Sequence, residues 1–179
     1  QSPQNRELKI LGRIHTWEEF LESFFMAREA GFDNINMDLI AGLPGDTYNG
    51  FIGSLKKAIS FNPENITVHT LSIKHSSELK GEGGFSNTLN EDEVDRMIGM
   101  SQEILQDSGY VPYYLYRQKN TAGNLENVGF SKKGYFGEYN IFIMDETHTI
   151  LAVGAGAVSK LRQPNGSMIK RIFNYFHYL

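Results

Sequence analysis

The chain has 179 residues, 40% hydrophobic and 21% charged, which is a globular composition for one domain or for part of a larger one. A net charge of -4 gives no long-range pull towards nucleic acid or an anionic surface, and no apolar run approaches a membrane span. No nucleic-acid partner, no membrane insertion and a cytoplasmic location are therefore expected. With 0 cysteines the chain can form no disulfide and cannot hold an iron–sulfur cluster through thiolates of its own. Its histidines, His15, His69, His75, His148 and His177, show no paired ligand spacing, so no metal site is expected. It opens on Gln1 in polar, unpatterned residues, as an excised fragment or a tagged chain would.

Thr16 followed by Glu19 is a capping-box signature, and Trp17, Phe20, Leu21, Phe24, Phe25 and Met26 recur at helical spacing up to Gly31. Ile35, Met37 and Leu39 then alternate with Asn36, Asp38 and Ile40, which predicts a short strand ended by Gly42, Pro44 and Gly45. A second helix is predicted from about Thr47, with Phe51, Ile52, Leu55 and Ile59 on one face, ending at Asn62-Pro63. Ile66 to Ile73 reads as the next strand. Helix, strand, helix, strand with short links is the pattern of a parallel sheet covered by helices. Two such units cannot close a barrel, so the sheet is expected to be part of something larger.

The pattern changes after Lys74. A Ser/Gly-rich loop leads to a second capping box at Asn90 and Glu93, followed by an amphipathic helix through Val94, Met97, Ile98, Ser101, Ile104 and Leu105 to Gly109. Tyr110 to Tyr116 reads as extended, and Arg117 to Gly137 as a long loop with little periodicity. Tyr139 to Met144 and Thr149 to Val153 are predicted as a strand pair. Pro164-Asn165-Gly166 is a turn signal, with a further strand over Ser167 to Ile172. The latter half is thus expected to be α+β with antiparallel pairing.

Asp38 is the first candidate for chemistry. A carboxylate near the carboxyl end of a parallel strand meets either a ligand, for example the hydroxyls of a ribose, or a structural partner such as an Arg or a helix N-terminus. Gln1 and Arg13 precede the first helix, and a guanidinium fork suits a carboxylate. Ser72, near the end of the second strand, would leave room for something planar. Gly154-Ala155-Gly156-Ala157 permits close backbone approach or tight packing, and is not a G-x-G-x-x-G fingerprint. Tyr110, Tyr113, Tyr114 and Tyr116 read as core and rim more than as a binding platform. Arg117, Lys119, Lys132 and Lys133 could meet anionic groups or simply face water.

Taken together, Gln1-Ser2, Gly12-Arg13, N-M-D-L-I-A-G-L-P-G from Asn36 and T-V-H-T-L-S-I-K from Thr67 resemble the later barrel strands of the oxygen-independent coproporphyrinogen oxidase family, a group of radical S-adenosylmethionine enzymes. The runs G-Y-V-P-Y-Y-L-Y-R-Q-K-N-T-A-G-N from Gly109 and L-A-V-G-A-G-A-V-S from Leu151 resemble its C-terminal region, most of all in the coproporphyrinogen dehydrogenase branch. The resemblance implies the C-terminal strands and helices of a partial (β/α) radical-SAM barrel over residues 1–74, followed by a small α+β region with antiparallel strands over 75–179. It implies S-adenosylmethionine and a four-iron four-sulfur cluster as cofactors, and coproporphyrinogen III, two of whose propionates become vinyls, as the tetrapyrrole substrate. An electron donor for the cluster is the further partner implied. Gln1, Arg13, Asp38, Ser72 and Val158 fall where the family contacts S-adenosylmethionine, with Asp38 on the ribose and Arg13 on the methionine carboxylate. The family's Cys-x-x-x-Cys-x-x-Cys motif is missing, and the tail from Phe173 to Leu179 departs from the pattern. The chain by itself is therefore expected to be inactive. A haem-chaperone relative of the same family and a non-catalytic scaffold domain are the competing expectations.

Overall fold

The computed structural model describes residues 8, 13–71, 91–116, 126–163 and 168–175. The capping box at Thr16 forms: the Thr16 N–H donates to Glu19 Oε2 at 2.7 Å, and the Glu19 N–H donates to Thr16 Oγ1 at 3.3 Å. It starts α1, Trp17–Glu29, which stops before Gly31 at φ +91°. β1 follows over Asn36–Ala41, and α2 over Tyr48–Ser60, where the Thr47 hydroxyl accepts the Gly50 N–H at 3.1 Å. β2 is Asn65–Thr70 and α3 is Glu91–Asp107. Asn90 lies outside the described residues, and Glu93 serves a different helix from the one expected. Its carboxylate accepts the Tyr48 N–H at 3.1 Å, placing negative charge at the start of α2.

β3, Val111–Tyr116, and β4, Asn127–Ser131, complete a sheet in the order β1-β2-β4-β3. β1 and β2 are parallel, whereas β4 runs antiparallel to both of its neighbours. The long loop expected over Arg117 to Gly137 therefore contains a strand. Val128 and Phe130 alternate with Asn127, Gly129 and Ser131, a period of two hidden by the glycine and the small polar residues. On one face Met37, Leu39, Ile66, Val68 and Phe130 pack with Phe51 and Leu55 of α2 and with Val94 and Met97 of α3. The other face carries Asn36, Asp38, Thr67, His69 and Gly129.

The amino ends of β1 and β2 are fastened by Glu64, which is 8% exposed. Its carboxylate accepts the Ile35 N–H at 3.0 Å and pairs with Arg28 at 2.8 Å, while Lys132 Nζ donates to Asn62 Oδ1 at 2.7 Å beside it. Tyr110 donates from its buried hydroxyl to the Pro63 carbonyl at 2.6 Å. Lys132, weighed above as an anion-binding residue, is engaged in this staple.

Residues Gly137–Leu179 form a second compact unit. Here the expected strand over Tyr139 to Met144 is instead α4, Glu138–Asp145, ended by Glu146 in the left-handed region at φ 54°. A six-residue segment with five large hydrophobic residues is ambiguous in period, and among the described residues its expected partner, Thr149 to Val153, makes one bridge, Ile150 to Lys160. β5, Val158–Arg162, and β6, Ile169–Phe173, pair antiparallel around the predicted turn, whose own residues 164–167 lie outside the described set. The Gly154–Ala157 run has a structural use. Gly156 N–H donates to the Tyr175 carbonyl at 3.0 Å, and Asn174 Nδ2 donates to the Gly154 carbonyl at 3.0 Å.

Candidate ligand site on the polar face of the sheet

β1 places Asn36 and Asp38 two residues apart, hence on one face. Asn36 Nδ2 donates to Asp38 Oδ1 at 2.7 Å, and His69 Nε2 stands 3.6 Å from the same oxygen. The parallel register sets Asp38 beside Thr67 and Ile40 beside His69, so the imidazole reaches Asp38 diagonally across the strand pair. On its far side, His69 Nδ1 lies 2.9 Å from the Tyr116 hydroxyl.

Tyr116 belongs to β3, two strands away from β2, and its side chain crosses β4 to reach His69. Tyr114 makes the same crossing one rung away: Tyr114 pairs with Gly129, Gly129 pairs with Thr67, and the Tyr114 hydroxyl stands 3.2 Å from Thr67 Oγ1. Thr67 in turn donates to Asn36 Oδ1 at 3.1 Å. Gly129 makes this possible, because a Cβ there would sit 1.9 Å from Tyr114 Cε1. The two tyrosine rings lie nearly parallel, 6.3 Å apart with 4° between their planes.

The electrostatics follow from this arrangement. Partial burial pushes the Asp38 carboxyl upward, but the His69 hydrogen bond and charge, with the Asn36 amide, outweigh it and leave the pKa below the usual carboxylate value. Asp38 is thus an anion at neutral pH, with its side chain 54% exposed. Among the described residues, a histidine and an amide meet its carboxylate. Burial raises the Tyr114 and Tyr116 phenols, the nearby Asp38 charge adding to it in both, so both stay protonated.

A cavity of about 240 Å³ runs along β1 between the segment ahead of α1, the first turn of α1 and the later half of α2, where Ser54 and Ala58 line it. Arg13, His15, Trp17, Asn36 and Asp38 line it. The structure thus brings together two of the residues singled out in the sequence, Arg13 and Asp38, a cation and an anion on one recess. Gln1 and Ser72 lie outside the described residues. Val158 is on β5 in the second compact unit, paired with Phe173. His69, Tyr114 and Tyr116 were not singled out as site residues, although His69 has the same strand parity as Thr67 and so shares its face.

No protein-family model matches the chain. It is 48% identical over 160 residues to the oxygen-independent coproporphyrinogen-III oxidase-like protein HemZ of Bacillus subtilis, an alignment covering 89% of this chain and 32% of that protein. The chain is a homologue of the HemZ/HemN-type oxygen-independent coproporphyrinogen-III oxidase family. It is also 26% identical over 171 residues to the haem chaperone HemW of Escherichia coli, covering 95% of this chain and 41% of HemW. The solved structure of coproporphyrinogen III oxidase (HemN) from Escherichia coli, described as a radical SAM enzyme, superposes with a TM-score of 0.60 at 18% identity. That match covers 99% of this chain and 39% of HemN, so the fold is a partial radical-SAM barrel with a small α+β region. The chain spans well under half the length of each of these relatives. Among the described residues no group of three or more His, Asp or Glu side chains is placed to hold a metal ion. With no cysteine either, the residues present do not fit an iron–sulfur cluster.

Proposed function

We propose that this chain supplies the nucleoside half of an S-adenosylmethionine site in an oxygen-independent coproporphyrinogen oxidase-like enzyme of haem biosynthesis. The parent would oxidatively decarboxylate two propionates of coproporphyrinogen III to vinyls in the cytoplasm, with an electron donor serving a four-iron four-sulfur cluster held elsewhere in the polypeptide. The observation that carries the reading is the shared recess of Arg13 and Asp38 on a homologue of this family. An ionised carboxylate accepts from both hydroxyls of a ribose, and a guanidinium clamps the methionine carboxylate in a bidentate pair. Gln1, Ser72 and Val158 are the further proposed contacts, with residues 1–74 as the C-terminal part of the barrel and 75–179 as a family-specific α+β domain.

Equilibrium binding of S-adenosylmethionine to the chain tests this. Asp38→Ala and Arg13→Ala are each expected to weaken binding by about tenfold or more, the worth of a hydrogen bond to a charged group. Equal affinity in wild type and Asp38→Ala would remove the assignment. The similarity to HemW favours one second reading, a haem-carrying role for the parent. Haem titration of the whole protein beside a coproporphyrinogen decarboxylation assay separates the two, because a carrier binds haem and produces no vinyl product.

A further inference from the structure

Behind the proposed contact Asp38 the polar face holds two side chains that the proposed function does not use, His69 and Tyr116, in a row that spans the sheet from β1 to β3. Its two links are 2.9 Å and 3.6 Å. We infer that Tyr116 and His69 form a positioning couple, in which the phenol donates to His69 Nδ1 and so turns an Nε2–H onto the Asp38 carboxylate. That Asp38 is the ligand contact rests on the function proposed above; the couple itself rests on the geometry.

The direction of the Tyr116–His69 hydrogen bond, with the anion 3.6 Å from the other ring nitrogen, decides the tautomer. If His69 Nδ1 donated to the phenol oxygen, the neutral ring would aim the Nε2 lone pair at a carboxylate oxygen, a repulsive contact. With the phenol as donor, the ring offers its remaining N–H to the anion. Asn36 Nδ2 donates to the same Oδ1 at 2.7 Å, so that oxygen meets an amide donor from its own strand and the imidazole edge, 3.6 Å away, from the next. Tyr114 supports the arrangement from the next rung, tying Thr67, and through it Asn36, to the same face. Among the described residues, the other ionisable groups around Asp38 are Arg13 and His15, which line the cavity with it, and Tyr114 on β3, while β4 contributes the neutral Asn127, Gly129 and Ser131. The effect on a ligand is preorganisation: the carboxylate is already oriented and ionised before a diol arrives.

Nitrogen NMR of the His69 ring and carbon NMR titration of the Asp38 carboxyl, both on the 179-residue chain, test the couple. Wild type should show the Nε2–H tautomer, and Tyr116→Phe, which keeps the ring and removes the donor, a mixture of tautomers. The Asp38 midpoint should rise in His69→Leu and return towards wild type in His69→Gln, whose amide can still donate. S-adenosylmethionine affinity should follow the same order, falling severalfold in His69→Leu and recovering in His69→Gln. An Nδ1–H tautomer in wild type, or an Asp38 midpoint unmoved in His69→Leu, would overturn the couple. If the NMR signatures appear but wild type fails to bind S-adenosylmethionine, the ligand assignment falls and the couple stands.

Discussion

At the scale of single residues, Gly129 is the position on which the polar face depends. A methyl group there would overlap the Tyr114 ring at 1.9 Å. Gly129→Ala should therefore expel Tyr114 from its crossing and release Thr67, with a loss of stability of about 1–3 kcal/mol, as other overpacking substitutions show. Chemical denaturation measures it, and a Gly129→Ala, Tyr114→Ala double variant should recover part of the loss. Tyr110 gives a second prediction. Burial, with the Glu64 charge adding to it, raises its phenol from 10.0 to about 12. A folded pKa above the unfolded one means stability is fully present below about pH 10 and is lost as pH rises through about 12. Tyr110→Phe should flatten the loss of stability between those values, measured by denaturation at a series of alkaline pH values. Asp38 was legible in the sequence as a strand carboxylate, and Arg13 as a guanidinium suited to a ligand's carboxylate. The partners that hold Asp38 were not, because a tyrosine reaching across an intervening strand leaves no mark in local spacing.

At the scale of elements, caps and strand periods were readable and pairing was not. Thr16–Glu19 and Thr47 behave as their sequence context demands, and Thr47→Ala should lower stability by about 1 kcal/mol in thermal or chemical unfolding. Glu93 shows the limit of local reading: the residue that resembles part of its own helix's cap holds the start of α2. β4 was missed because glycine, asparagine and serine occupy the face the tyrosines cover, and their composition imitates a loop. α4 was misread for the opposite reason, since a short run of large apolar residues suits either period. Glu64 joins α1, β1 and the segment after β4. Glu64→Ala should be among the most damaging polar substitutions, at about 3–5 kcal/mol, because it leaves Arg28 without its buried carboxylate and the Ile35 amide unpaired. A loss below 1 kcal/mol in denaturant titration would contradict the staple.

At the scale of the molecule, the chain holds a sheet with a cationic and an anionic side chain on one recess, and no thiol. Reconstitution with iron and sulfide should give no stoichiometric four-iron cluster, as read from visible absorption. The incomplete barrel was legible from sequence, since two helix–strand units with no closing partners cannot make one. The antiparallel return of β4 between β2 and β3 was not, because strand order is set by long-range packing against α2 and α3.

The cavity wall also contains the chain's 1 tryptophan. Trp17 stacks on Phe20 with ring centres 5.0 Å apart, and Lys57 stands over its ring at 4.9 Å. Its intrinsic emission is therefore an optical probe built into the recess, uncontaminated by any second indole. A purine settling beside Asp38 would quench or shift that single band, so occupancy can be followed in real time on unlabelled protein.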